Sequence, residues 1–68
     1  MGKLKRLSTD VIASLWIEPM TFNQIQRELE ENREIIENLL DILLENKFIK
    51  QIGPMYQLTS EGKSFFSY

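Results

Sequence analysis

Residues 48–59 read Phe48-Ile49-Lys50-Gln51-Ile52-Gly53-Pro54-Met55-Tyr56-Gln57-Leu58-Thr59, and they decide the fold class. On both sides of Gly53-Pro54 the apolar period is two, the period of a strand that buries one face. A glycine first in a two-residue loop supplies the positive φ that a type II′ hairpin turn requires. That turn sets a register in which Ile49 faces Leu58, Lys50 faces Gln57 and Gln51 faces Tyr56. Ile52 and Met55 then meet at the tip, exposed on the Lys50 face.

Upstream of the hairpin the period changes to 3.6. Laid out at 100° per residue, Ile42, Ile35, Leu39, Leu43, Ile36, Leu40 and Leu44 cover roughly 200° of a helix spanning residues 33–46. An arc of about 100° suffices to dock on one core, so this helix is expected to be central or packed on two sides. The remaining arc carries Glu34, Glu37, Asn38, Asp41 and Glu45.

Asn32 is the expected N-cap of that helix. Before it, Thr21 and Gln24 have capping-box spacing. Phe22, Ile25 and Leu29 then form the inward side of a short helix over 21–31, with Met20 to Phe22 available as a very short strand. Ser8, Thr9 and Asp10 are each suitable caps for a first helix over 8–18, which Pro19 ends. Val11, Ile12, Leu15 and Trp16 are its inward stripe, with Trp16 read as core. Leu4 and Leu7 either extend this helix backwards or cover its base. Residues 1–7 are expected to form a basic arm. Thr59 or Ser60 caps a last helical turn over 60–67, whose Phe65, Phe66 and Tyr68 cover the core or meet a second copy.

Sixty-eight residues make one domain, and one so small that dimerisation is a live expectation. The 43% apolar and 26% charged fractions are those of a folded globular chain. No apolar run is long enough to span a membrane, and no apolar stretch of signal-peptide length follows the basic start, so cytoplasm is the expected compartment. There is no Cys and no His, which removes thiolate and imidazole metal ligands, cysteine nucleophiles and the commonest general base. No enzyme, cofactor or metal is expected. The net charge of −2 is uneven: Lys3, Lys5 and Arg6 start the chain, and Lys47, Lys50 and Lys63 outnumber Glu61 at its end. Between them Glu28, Glu30, Glu31, Glu34, Glu37, Asp41 and Glu45 face Arg33 alone.

Three helices followed by a two-stranded hairpin and a short C-terminal helical turn form a mainly α arrangement that resembles the winged helix-turn-helix family. Asn46-Lys47-Phe48-Ile49-Lys50, followed by Tyr56-Gln57-Leu58-Thr59-Ser60-Glu61-Gly62, is similar to the L-x-x-x-G-L-I-x … Y-x-L-T-x-x-G ending of small bacterial and archaeal winged-helix transcription regulators. Thr21 to Leu29 is similar to their T-x-x-x-I-x-x-x-L second helix. The resemblance covers roughly residues 8–66 and implies that the third helix enters a DNA major groove while the hairpin wing touches the backbone.

By position, Arg33, Glu34, Glu37, Asn38 and Asp41 would face the groove, with Lys50, Gln51 and Gln57 on the wing. The leading expectation is therefore a homodimeric regulator of double-stranded DNA. Arg33 and Asn38 would read bases, and Lys3, Lys5, Arg6, Lys47, Lys50 and Lys63 would meet phosphates. The alternative is a winged helix used for protein–protein contact. Glu34, Glu37, Asp41, Glu45, Ile52 and Met55 would then form the partner surface, since carboxylates oppose phosphate.

Overall fold

The computed structural model describes residues 2–66, with side chains from Lys5 onward; the side chains of Lys3 and Leu4, and Tyr68, lie outside the described residues. The elements run α1 (Gly2–Ile17), β1 (Met20–Thr21), α2 (Phe22–Leu29), α3 (Arg33–Glu45), β2 (Ile49–Ile52), β3 (Met55–Leu58) and α4 (Ser60–Phe65). This is a mainly α chain with one three-stranded antiparallel sheet in the order β1-β3-β2.

The hairpin forms in the register set by its turn, Ile49 to Leu58, Lys50 to Gln57, Gln51 to Tyr56 and Ile52 to Met55. Gly53 takes φ +58, and Pro54 cannot follow it into positive φ, which leaves type II′ as the turn. The short strand at Met20–Thr21 pairs with Tyr56 and Met55 on the other edge of β3. Because of that pairing Met55 is half-buried, whereas Ile52 stays exposed.

Helix ends are satisfied where the sequence places caps. Thr21 accepts from Gln24 N while the Gln24 side chain accepts from Thr21 N, a complete capping box. Asn32 accepts from Ile35 N at 2.9 Å. Thr59 accepts from Gly62 N at 3.0 Å, and its hydroxyl proton is shared between the carbonyls of Lys47 and Phe48.

The end of α3 is a Schellman motif: Lys47 N donates to Leu44 O and Phe48 N to Leu43 O. The motif needs a left-handed residue, and Lys47 supplies it at φ 63. A lysine thus stands where the resembled ending has glycine, and it costs about 1 kcal/mol of backbone strain.

α3 packs on α1, α2 and β2. Ile36, Leu39, Leu40 and Leu43 are its buried side, joined by Leu7, Val11, Ile12, Leu15, Ile25, Ile49 and Tyr56 in one cluster. The buried side spans only about 100° of the helix. Ile35 and Leu44 flank it half-buried, and Ile42 at the edge of the wide apolar arc is 42% exposed.

Three expectations about α1 are corrected. Lys5 and Arg6, expected in a basic arm, sit on the helix, which runs from Gly2 and so extends backwards through Leu4 and Leu7. Thr9 does not cap a helix start; its hydroxyl donates back to Lys5 O at 3.1 Å, within the helix. Leu7 then joins Val11 and Leu15 at intervals of four, which centres the buried side on those residues. Trp16 lies about 100° beyond Leu15, so it is rotated out of the core and is 47% exposed.

At the opposite end Phe48, Phe65 and Phe66 form an aromatic cluster. Phe48 stacks on Phe65 at 4.7 Å, and Phe66 meets both rings edge-on. Phe66 is half-buried there, whereas Phe65 remains 68% exposed. Among the described residues no helix is long and apolar enough to cross a membrane.

Candidate functional site

The outer side of α3 is acidic in three dimensions as well as in sequence: Glu34, Glu37, Asp41 and Glu45 are all exposed. Helical spacing puts Glu37 and Asp41 one turn apart on one side, with Arg33 a turn earlier. That side borders a groove of about 430 Å³ lined by Phe22, Arg33, Glu37, Asn38, Leu40, Asp41 and Tyr56. Three elements build it. α2 contributes its first residue, α3 one flank, and β3 the Tyr56 ring.

Arg33 is committed within this groove. Its Nε donates to Glu37 Oε2 at 3.4 Å, and its guanidinium carbon lies 5.5 Å from the Phe22 ring centroid. Both side chains of the ion pair are largely in water, so the pair adds only a few tenths of a kcal/mol to stability. Its effect is on the surface: the single cation of the groove is already neutralised. Asp41 has no ion pair among the described residues.

Tyr56 is 9% exposed. Its hydroxyl makes no hydrogen bond among the described residues, yet no buried side-chain polar atom is left unsatisfied. The hydroxyl therefore reaches solvent through the groove. Burial pushes the phenol pKa up, and the carboxylates of Asp41 and Glu37 push it further in the same direction.

A second hollow, of about 460 Å³, opens at the far end of α3. Leu44, Lys47, Ile49, Lys50, Gln51, Thr59 and Glu61 line it. Lys47 and Lys50 are exposed, and neither has an ion pair among the described residues. Of the residues expected to meet phosphate, the structure brings these two together. Lys63 is exposed in the last turn of α4 and does not line the hollow, and Lys5 and Arg6 are exposed on α1.

Arg33 and Asn38, expected as base readers, share the first groove with Glu37 and Asp41. Ile52 and Met55 meet at the hairpin tip and line neither hollow. The groove residues missed in sequence are Phe22 and Tyr56, because their apolar stripes assign them to the core. The signal that could have placed them is the pairing of β1 with β3, which sets Met20 opposite Tyr56 and Thr21, just before α2, opposite Met55. Among the described residues no cluster of carboxylates is arranged to hold a metal ion. Comparison with known protein families, with characterised proteins and with solved structures gave no match, so the chemistry of these two hollows carries the functional reading.

Proposed function

We propose that this chain is a winged-helix module that binds a basic segment of a protein partner through the acidic outer side of α3. The winged-helix reading is supported by the element order, by the hairpin register and by the third strand at Met20–Thr21. The observation that carries the partner reading is the state of Arg33. On the side of α3 that a winged helix turns toward a groove, the one cation is held by Glu37 and Phe22, while Glu34, Asp41 and Glu45 stand in water. Affinity for duplex DNA comes largely from cations that neutralise phosphates, and this surface offers carboxylates instead. A field of that sign attracts and orients a basic surface.

A second reading, a homodimeric DNA-binding regulator, is favoured by one observation: Lys47 and Lys50 share a hollow beside the hairpin, and among the described residues no carboxylate is paired to them. One pair of measurements separates the two. A basic peptide on a surface is expected to retain the wild-type chain and to lose the Glu37→Gln/Asp41→Asn variant, while mixed-sequence duplex DNA at low salt retains neither. A wild-type DNA complex that weakens steeply with salt, and tightens in the same double variant, would establish the regulator reading instead.

A further inference from the structure

We propose that the groove between α2, α3 and β3 is a receptor for one guanidinium group, the side chain of an arginine on a protein partner, with Asp41, Asn38 and the Tyr56 hydroxyl as acceptors. This rests on the reading of the outer side of α3 as a partner-binding surface, and it names the chemistry that the surface selects.

The groove already holds such a group at one end, where Arg33 lies over Phe22 and donates to Glu37. Its other end offers the same chemistry. Asp41 is unpaired among the described residues, and Asn38 is exposed beside it. Tyr56 is nine-tenths buried, but its hydroxyl is bonded to no described residue and opens into the groove. The hydroxyl of this enclosed side chain meets water only where the ring borders the groove, so a donor seated there would replace that water.

Spacing selects arginine over lysine. Asn38 and Asp41 are three residues apart on α3, which separates their Cβ atoms by about 5–6 Å, and Tyr56 approaches from another element. An ammonium is a compact point charge whose three donors diverge from a single nitrogen. The planar guanidinium carries five N–H donors in a fixed fork and spans several acceptors. Phe22 and Leu40 supply apolar wall for the aliphatic stem.

The test uses two blocked peptides, one alternating glycine with arginine and one alternating glycine with lysine, titrated into the full chain and followed by NMR. The arginine peptide is expected to bind about tenfold more tightly than the lysine peptide, one charge-assisted hydrogen bond apart. It should move the Tyr56 ring and Asn38 side-chain amide resonances. Tyr56→Phe keeps the ring and the fold, Asp41→Asn changes an exposed side chain, and each should weaken the arginine peptide about tenfold.

Arg33→Gln removes the resident guanidinium and should strengthen the arginine peptide more than the lysine peptide. Equal binding of both peptides, indifferent to Tyr56→Phe, overturns the guanidinium site and leaves the acidic surface as a general partner face. Binding of neither peptide at low salt overturns the site together with the partner reading.

Discussion

The two ends of α3 open into hollows of nearly the same volume and opposite chemistry. At the first turns, Arg33 is tied to Glu37 and covers Phe22, which leaves Asp41 and the Tyr56 hydroxyl facing water with no partner among the described residues. Past the last turn, Lys47 and Lys50 lie beside Glu61 and form no ion pair among the described residues. Each hollow holds both signs of charge, so composition alone does not distinguish them. Commitment does: at one end the cation is already tied to a carboxylate, and at the other the two lysines are in no ion pair among the described residues, so on the proposed reading the first suits a visiting cation and the second an anion. Surface chemistry is set by which groups are left over once local pairs have formed.

The largest effect expected breaks the frame of the second hollow. Gly62 in α4 packs so close to the start of β2 that an added Cβ would collide with the Phe48 carbonyl oxygen and lie 2.7 Å from Leu58 Cδ1. Alanine in a helix gains about 1 kcal/mol over glycine, but overpacking against backbone costs about 2–3 kcal/mol, so the clash dominates. Gly62→Ala should lower the melting temperature by about 4–8 °C for each net kcal/mol, measured by circular dichroism.

A smaller effect, on binding alone, sharpens the contrast between the ends. Lys47→Gln with Lys50→Gln should leave affinity for a basic peptide unchanged. If the chain engages duplex DNA through the second hollow, the same pair should reduce the salt dependence of that complex by about one unit of slope per lysine. A double variant that weakens basic-peptide binding would show that the two ends do not act separately.

The smallest effect is a pH dependence confined to the first groove. The Tyr56 pKa is raised above 10.0 in the folded chain, by burial first and then by Asp41 and Glu37. The folded state thus holds the phenol proton more tightly than the unfolded state does. This contribution to stability is fully present below the unfolded value and is lost as pH climbs through the folded one. Wild type should therefore lose stability in that alkaline window relative to Tyr56→Phe. Spectrophotometric titration should show Glu37→Gln/Asp41→Asn moving the phenol part of the way back, since burial remains.

What the sequence made legible is local. The hairpin register follows from two residues at a turn, and the caps at Thr21, Asn32 and Thr59 follow from spacings of three. What it hid depends on how helices rotate against one another. Trp16 and Ile42 each sit at the edge of an apolar arc, where helical period cannot say which flank the neighbours cover. Thr9 has the side chain of a helix start, but continuous backbone before it turned the hydroxyl back to Lys5. Glu34, Glu37, Asp41 and Glu45 were readable as an outward stripe. The groove beside them was not, because Phe22 and Tyr56 serve the core and the site at once.

The exposed position of Trp16 also decides what light can report about this chain. It is the sole indole, and nearly half of it already meets water in the folded state. Its emission should therefore sit near that of a free indole and change little when the core melts, so a flat fluorescence trace during denaturation would not mean that the fold persists. The same indole would respond sharply if another surface came to rest on the outside of α1. A blue shift that grows with protein concentration would mark association there, seen without any label.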